Sequence, residues 1–278
     1  MADQMHSAID FYARHPITAA IILAKLAAAR GGLDNLRPED LYPHDQDHYG
    51  GLDANDALAA RAHIGAGARV ADFCAGLGGP ARYYAHRYGA IVTGIELTPA
   101  RVAGARDLTR RVGLADKVRV LEGDVATTSL ADASQDAVVS QEAFLHVPDL
   151  ARVLAEAHRV LRPGGRIAYT NWMAERPLSA PDAALMWDGM AVQPVLSAAA
   201  QVELLERAGF RVEPVENLTA EWAVILAARL AMYQKLRGEA EHAGTPAGHD
   251  AFYRSYVRFV ALVQADALGG GRFVAEKV

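Results

Sequence analysis

The stretch of residues 69–85, RVADFCAGLGGPARYYA, constrains the fold of this chain more than any other. Its first part is a short apolar run typical of a buried strand, and its last part places Ala81, Tyr84 and Ala85 at the spacing of a helix face. The glycines between them permit a tight turn and a close approach of backbone to a ligand. The unpaired N–H groups at a helix start favour a polar or anionic group. The pattern predicts a nucleotide-type site between strand and helix, with simple strand–helix packing as the alternative.

Further apolar segments alternate with helical patterns along the rest of the chain. Short connections between such segments predict an α/β fold, a doubly wound and mostly parallel Rossmann-like sheet with helices on both faces. Ligands of such sheets collect at the carboxyl ends of the strands, where Gly76, Glu96, Asp124 and Glu142 are expected. The last strand, entered through a glycine turn, is expected to be antiparallel. The predicted strands after the first are 90–95, 118–121, 137–140, 166–170, 210–215 and 269–275.

The segments outside this alternation are predicted to be mainly helical. Residues 1–51 form a helical cap and entrance loop, 52–172 the cofactor-binding core, 173–268 the remainder with helical substrate-side insertions, and 269–278 the terminal strand. Residues 37–51 show neither helix nor strand periodicity and are expected to be a loop over the site. Asn55 is expected to cap the next helix. Helix breaks are predicted near His15-Pro16 and over 242–249.

Charge and cysteine content exclude several classes of function. The net charge is −5 and the 28 Lys and Arg residues are scattered, so no nucleic-acid partner is expected. The single cysteine, Cys74, excludes an internal disulfide and a cysteine-cluster metal site, and no metal is expected. The apolar run 17–29 follows Asp3 and Asp10 and contains Lys25, which is unlike a signal peptide or a membrane span. We therefore expect a cytoplasmic protein without membrane contact.

Four motifs in order resemble the class I S-adenosylmethionine-dependent methyltransferases. They are DFCAGLGGPARY at 72–83, the acidic strand end at Glu96, EGDV at 122–125 and LRPGGRIAYT at 161–170. Within the class the chain looks most like the small-molecule group that includes sarcosine, dimethylglycine and phosphoethanolamine N-methyltransferases and natural-product enzymes. The resemblance implies S-adenosylmethionine as the cofactor, with S-adenosylhomocysteine as the product.

The resemblance also implies roles for residues at the strand ends. The glycine turn would pack on the methionyl part of the cofactor, and Glu96 would accept hydrogen bonds from the ribose hydroxyls. Asp124 would accept from the adenine amino group, and Tyr49 would cover the methionyl end. Simple turn or capping roles for Glu96 and Asp124 are the alternatives. The implied cofactor-binding residues are Tyr49, Asp72, Ala75, Gly76, Gly78, Glu96, Leu97, Asp124, Val125 and Gln141.

The acceptor side is less determined by the sequence. An acceptor oxygen or acidic carbon needs a base, for which His48, Glu142 and His146 are candidates, whereas a neutral amine needs none. Gln46, His48, His146 and Trp172 are the expected substrate-binding residues, and each has a structural alternative.

The predicted reaction is methyl transfer to a nitrogen or oxygen of a small specialised metabolite. The alternatives are C-methylation, an NAD-dependent dehydrogenase, which also uses a glycine turn and a second-strand acid, and a non-catalytic cofactor-binding protein. The insertion at 219–268 is a possible homodimer contact.

Overall fold

The computed structural model describes residues 2–13, 17–242 and 250–278. The predicted helix breaks at His15-Pro16 and at 242–249 therefore lie outside the described residues, apart from His242. Among the described residues, no helix combines the length and the apolar character needed to cross a bilayer.

One eight-stranded sheet forms the centre of the molecule. The first five strands are parallel, the last strand runs antiparallel to the fifth, and strands six and seven pair antiparallel with the last. The order β3-β2-β1-β4-β5-β8-β6, with β7 beside β8, confirms the predicted doubly wound sheet and its antiparallel final strand. The strands are β1 (Arg69–Phe73), β2 (Ile91–Glu96), β3 (Val118–Glu122), β4 (Gln135–Gln141), β5 (Leu161–Ala174), β6 (Phe210–Val212), β7 (Glu216–Asn217) and β8 (Leu268–Lys277).

Helices cover both faces of this sheet and its carboxyl edge. One face packs through Leu58, Tyr84 and Leu108, and the other through Leu154 and Leu205, all fully buried. A third apolar cluster joins the last helices at the carboxyl edge. The helices are α1 (Ala2–Ala13), α2 (Ala19–Arg30), α3 (Pro38–Asp45), α4 (Gly51–Arg61), α5 (Gly79–Tyr88), α6 (Pro99–Arg111), α7 (Leu150–Val160), α8 (Ala180–Met190), α9 (Ala198–Arg207), α10 (Thr219–His242) and α11 (Asp250–Gln264), with a 3-10 turn at Phe144–His146.

The glycines near the carboxyl end lie inside strand β8 and do not form the predicted entry turn. A Cβ on Gly269 would lie 2.1 Å from the Thr219 hydroxyl, and one on Gly270 would lie 2.3 Å from the Trp222 ring. Helix α10 therefore crosses directly over the strand, and only glycine leaves room for it. This contact fixes the C-terminal helices above the edge of the sheet where the ligand site is expected.

The prediction of a loop over 37–51 is wrong. Pro38 starts helix α3, and the backbone N–H of Arg37 donates to the Asp40 carboxylate at 2.7 Å, which stabilises the first turn. Gly50, at φ +82°, occupies the cap position before helix α4 that the sequence predicts for Asn55. Asn55 lies inside that helix and is fully buried, so it does not cap it.

Replacing Gly79 with alanine is expected to destabilise the protein by about 2 to 3 kcal/mol. A Cβ on Gly79, the first residue of α5, would lie 2.0 Å from the carbonyl oxygen of Asp45 at the end of α3. Urea unfolding measures the change, and Gly65→Ala is the control because no atom lies within 4 Å of its added Cβ. Equal losses in the two variants would contradict the importance of this contact.

Candidate functional site

A cavity of about 200 Å³ lies at the carboxyl ends of β1 to β4, beneath α1 and the connection between α3 and α4. Most of the residues that the sequence assigns to the cofactor line it, together with the three candidate bases. These lining residues are Asp72, Ala75, Gly76, Glu96, Leu97, Asp124, Val125 and Gln141, with His48, Glu142 and His146.

The glycine turn that opens this cavity depends on left-handed backbone. Gly76 has φ +55° and lines the cavity, whereas Gly78 has φ +75°, immediately precedes α5 and lies outside the lining. A Cβ on Gly76 would lie 2.9 Å from the guanidinium of Arg101. Gly78 therefore shapes the turn, while Gly76 provides a surface close to the cavity.

The carboxylate of Glu96 holds the turn against the end of β2. Its Oε2 accepts from the backbone N–H of Gly76 at 2.9 Å, and its Oε1 accepts from the N–H of Thr98 at 2.8 Å. A carboxylate offers about four lone-pair positions, so each oxygen retains one for a ligand. The capping alternative and a ligand-binding role are thus compatible.

Two further acidic residues line the cavity beside Glu96. Burial and the negative charge of Glu96 raise the pKa of Asp72 to about 7, and its Oδ2 has no hydrogen-bond partner among the described residues. Asp124 accepts from the N–H of Ala126 at 2.8 Å through Oδ1, which holds its turn in place. Buried acceptor oxygens of this kind fit a ligand rich in hydrogen-bond donors.

Glu142 is the most perturbed carboxyl group on the acceptor side. Its backbone is left-handed, with φ +43°, and its oxygens accept from the Thr170 hydroxyl at 2.6 Å and the Tyr49 N–H at 2.7 Å. Burial outweighs these hydrogen bonds and the nearby charge of Arg229, and it raises the pKa of Glu142 to about 7. A carboxyl group with this pKa exchanges a proton near neutral pH.

The raised pKa of Glu142 predicts how the stability of the protein depends on pH. Because the folded-state pKa lies above the ordinary value of 4.5, stability is lost as pH rises from about 4.5 through about 7. Glu142→Gln removes this ionisation, so its stability relative to wild type should improve by about 2 to 3 kcal/mol between about pH 5 and pH 8. Urea unfolding of both proteins at the two pH values measures the difference. A pH-independent difference would contradict the raised pKa.

The two histidines differ in environment. Burial lowers the pKa of His48 to about 4, so its ring is neutral near pH 7, and the ring nitrogens contact the oxygens of Tyr49 at 3.1 Å and Gln46 at 3.0 Å. Nδ1 of His146 contacts the carbonyl of Ala191 at 3.2 Å. Since a carbonyl only accepts, Nδ1 of a neutral His146 carries the proton and Nε2 is its basic nitrogen.

Besides Gly78, three of the predicted site residues do not line the cavity. The Tyr49 ring packs edge-on against Trp222 at 4.9 Å, and its backbone N–H donates to the lining residue Glu142 at 2.7 Å. Trp172 is buried and stacks on Phe259 at the third apolar cluster, where its ring faces neighbouring helices. The side chain of Gln46 contacts the lining residues Asp45 and His48, at 2.6 and 3.0 Å.

The structure adds residues to the site that the sequence analysis missed. Arg101 lines the cavity, pairs with Asp47 at 3.1 Å and lies 4.7 Å from the ring centroid of Tyr12. The Tyr12 ring is also 5.2 Å from that of His146. These contacts join α1, the α3–α4 connection and α6, which are distant in the sequence. In the sequence, the indication that Arg101 lies near the strand end is its position five residues after Glu96.

Known proteins that are similar to this chain in sequence are methyltransferases. Residues 71–169 match the family model of a methyltransferase domain. A glycine/sarcosine/dimethylglycine N-methyltransferase of Actinopolyspora halophila is 38% identical over 117 residues, which cover 42% of this chain and 21% of that protein. The chain matches less than half the length of the curated relatives it resembles. Relatives of similar identity include proteins named as C- and O-methyltransferases.

Two solved structures share the fold over most of the chain. A protein of Galdieria sulphuraria described as a sarcosine dimethylglycine methyltransferase has a TM-score of 0.74 at 23% identity, over 93% of this chain and 98% of that one. Phosphoethanolamine N-methyltransferase 2 of Haemonchus contortus, in complex with S-adenosylhomocysteine, has a TM-score of 0.73 at 23% identity, over 96% of this chain and 59% of that one. Residues 71–169 are thus similar to a methyltransferase domain, and the chain shares its fold with these solved methyltransferase structures.

Proposed function

We propose that the chain binds S-adenosylmethionine in this cavity and catalyses methyl transfer to a small-molecule acceptor. The residues present fit the cofactor, because its ribose, adenine and ammonium groups are rich in donors and the cavity wall is rich in acceptors. Glu96 retains lone pairs beyond its two backbone contacts, and Oδ2 of Asp72 has no partner among the described residues. Glu96 would hold the ribose, and the Gly76 turn would hold the methionyl part.

When bound, S-adenosylmethionine supplies an electrophilic methyl group on a sulfonium. The chain aligns the acceptor for in-line displacement, excludes water and removes the acceptor proton. The pKa of Glu142, raised to about 7 in the cavity wall, is the observation that supports a proton-accepting role. His146, whose basic nitrogen is Nε2, is the second candidate base.

This arrangement favours an acceptor that loses a proton, such as a hydroxyl or a protonated amine of a specialised metabolite. Bound S-adenosylmethionine would supply the methyl group and leave as S-adenosylhomocysteine, and the carboxylate of Glu142 would take the proton that the acceptor loses. A protonated amine loses its proton before the attack, because its lone pair must be available. An acidic carbon needs the same base, so C-methylation is the alternative reaction.

Calorimetry and a labelled transfer assay test this function. We expect S-adenosylhomocysteine to bind and NAD not to bind, and we expect methyl-labelled cofactor to label one component of a metabolite extract. Mass spectrometry of that product would identify the acceptor atom. Binding of NAD without S-adenosylhomocysteine would support the dehydrogenase alternative, and cofactor binding without transfer would support the non-catalytic one.

A further inference from the structure

A single peptide group links helix α10 to the acceptor side of the cavity. Arg229 of α10 donates from Nη2 to the carbonyl oxygen of His48 at 2.7 Å. The N–H of the same peptide group belongs to Tyr49 and donates to Oε2 of Glu142 at 2.7 Å. This peptide bond is trans, so its C=O and N–H point in opposite directions. The guanidinium and the carboxyl group therefore lie at its two ends.

Helix α10 also contacts the side chain next to this peptide group. The guanidinium carbon of Arg229 lies 4.7 Å from the ring centroid of Tyr49. Trp222, two turns earlier on the same helix, packs edge-on against that ring at 4.9 Å and lies directly over Gly270 of β8. Because the helix is fixed against the sheet in this way, it also fixes the position of the peptide group.

The two ends of the peptide group carry groups of opposite charge type. A guanidinium is always protonated near neutral pH and only donates hydrogen bonds. Hydrogen bonds in a chain polarise one another, so the bond that the His48 carbonyl accepts from Arg229 makes the Tyr49 N–H a stronger donor. An ionised carboxylate gains more from such a donor than a neutral carboxyl group does. The arrangement therefore favours the ionised form of Glu142.

Other groups around Glu142 act in both directions. The Thr170 hydroxyl of β5 and the Tyr49 N–H lower its pKa, as does the charge of Arg229, whereas burial and the charge of Asp47 raise it. Without Arg229, burial and Asp47 would be less opposed, and the carboxyl group would hold its proton to a higher pH. The other titratable side chains of the lining on this side are His48, neutral near pH 7, and His146.

We propose that Arg229 is a positioning residue, which acts through the peptide group between His48 and Tyr49 to hold and strengthen the hydrogen bond to the Glu142 carboxylate. This inference rests on the proposed function, in which Glu142 takes the proton that the acceptor loses. Arg229 is half-buried and lies outside the cavity lining. It therefore acts on the base without touching the ligand.

Titration of the Glu142 carboxyl group tests this inference without any acceptor. With carbon-13 labels on the glutamate carboxyl groups, the signal of Glu142 is identified by its absence in Glu142→Gln. Arg229→Met removes the charge and the donor, and it should raise the titration midpoint by about 0.5 to 1 pH unit. Arg229→Lys keeps a charged donor and should restore most of the wild-type midpoint. An unchanged midpoint in folded Arg229→Met would overturn the proposal.

The amide proton of Tyr49 separates the route through the peptide group from an effect of charge alone. Loss of the donor at the His48 carbonyl weakens the hydrogen bond of this N–H, so its signal should move upfield in Arg229→Met. The two proteins are compared at about pH 9, where Glu142 is largely ionised in both. A raised midpoint with an unmoved amide signal would assign the effect to charge alone and contradict the positioning role.

Two control variants exclude a general effect of destabilisation or of net charge. Leu226→Ala, at a fully buried position one turn before Arg229, should lower stability and leave the midpoint unchanged. Arg162→Met removes an equal charge from the other end of the strands, where Arg162 pairs with Asp136, and should also leave it unchanged. A rise in either control as large as that in Arg229→Met would refute the proposal.

Activity separates this inference from the proposed function. If Glu142 is the base, Arg229→Met should lower kcat/KM by about two- to fivefold at pH 7 and have little effect at about pH 9. A raised carboxyl midpoint with an unchanged pH profile of kcat/KM would support the role of Arg229 and reject Glu142 as the base.

Discussion

Glu96→Ala is expected to weaken the binding of S-adenosylhomocysteine by about 100-fold. The substitution removes the acceptor of the Gly76 and Thr98 N–H groups, at 2.9 and 2.8 Å, and with it the lone pairs proposed for the ribose. Loss of two hydrogen bonds to a charged group costs about 3 kcal/mol, which corresponds to the stated change in affinity. Calorimetry on the folded variant measures it.

Glu122→Ala is the matched control for this prediction. Glu122 lies opposite Glu96 in the register of β2 and β3, ends its own strand in the same way, but is exposed and does not line the cavity. The control should bind S-adenosylhomocysteine as wild type does. Thermal unfolding of Glu96→Ala shows whether the turn still folds, and a change in affinity below about fivefold in a folded variant would argue against the ribose-binding role.

The sheet and its ligand edge could be predicted because both depend on local patterns. Each of the five parallel strands is a short apolar run, and each is followed by the glycine, acid or polar residue that the topology carries to one edge. Gly76, Glu96 and Glu142 therefore line one cavity, as the alternation predicts. Strand β5 extends beyond the predicted 166–170 on both sides, because Leu161 pairs with Gln135 of β4 and residues 171–174 pair with β8, which are contacts between segments distant in the sequence.

The acceptor side could not be predicted with the same success because it is made by long-range contacts. Asn55 has the sequence position of a helix cap, yet its side chain joins Gln46 to Gln141. Tyr49 and Trp172 are aromatic residues at suitable positions, but the helices after β5 cover their rings. Neither the partner of a side chain nor the helix that covers it is encoded in the spacing of nearby residues.

Glu142→Gln is expected to lower kcat by about 10²- to 10⁴-fold with an acceptor that must lose a proton. An amide cannot accept that proton, but it keeps the size of the side chain and an oxygen that can accept from Thr170 or from the Tyr49 N–H. Affinity for S-adenosylhomocysteine should stay near the wild-type value. Steady-state kinetics with the acceptor identified by the labelled transfer assay measures the loss.

The pH profile tests whether Glu142 is the base. Since its pKa in the free protein is about 7, kcat/KM of the wild type should rise with pH and level off above that value. The rise should disappear in Glu142→Gln and persist in His146→Asn, which removes Nε2 as a base but leaves the carboxyl group in place. The opposite pattern would assign the proton transfer to His146. A rise that persists in both variants would exclude both residues and indicate that the acceptor itself titrates.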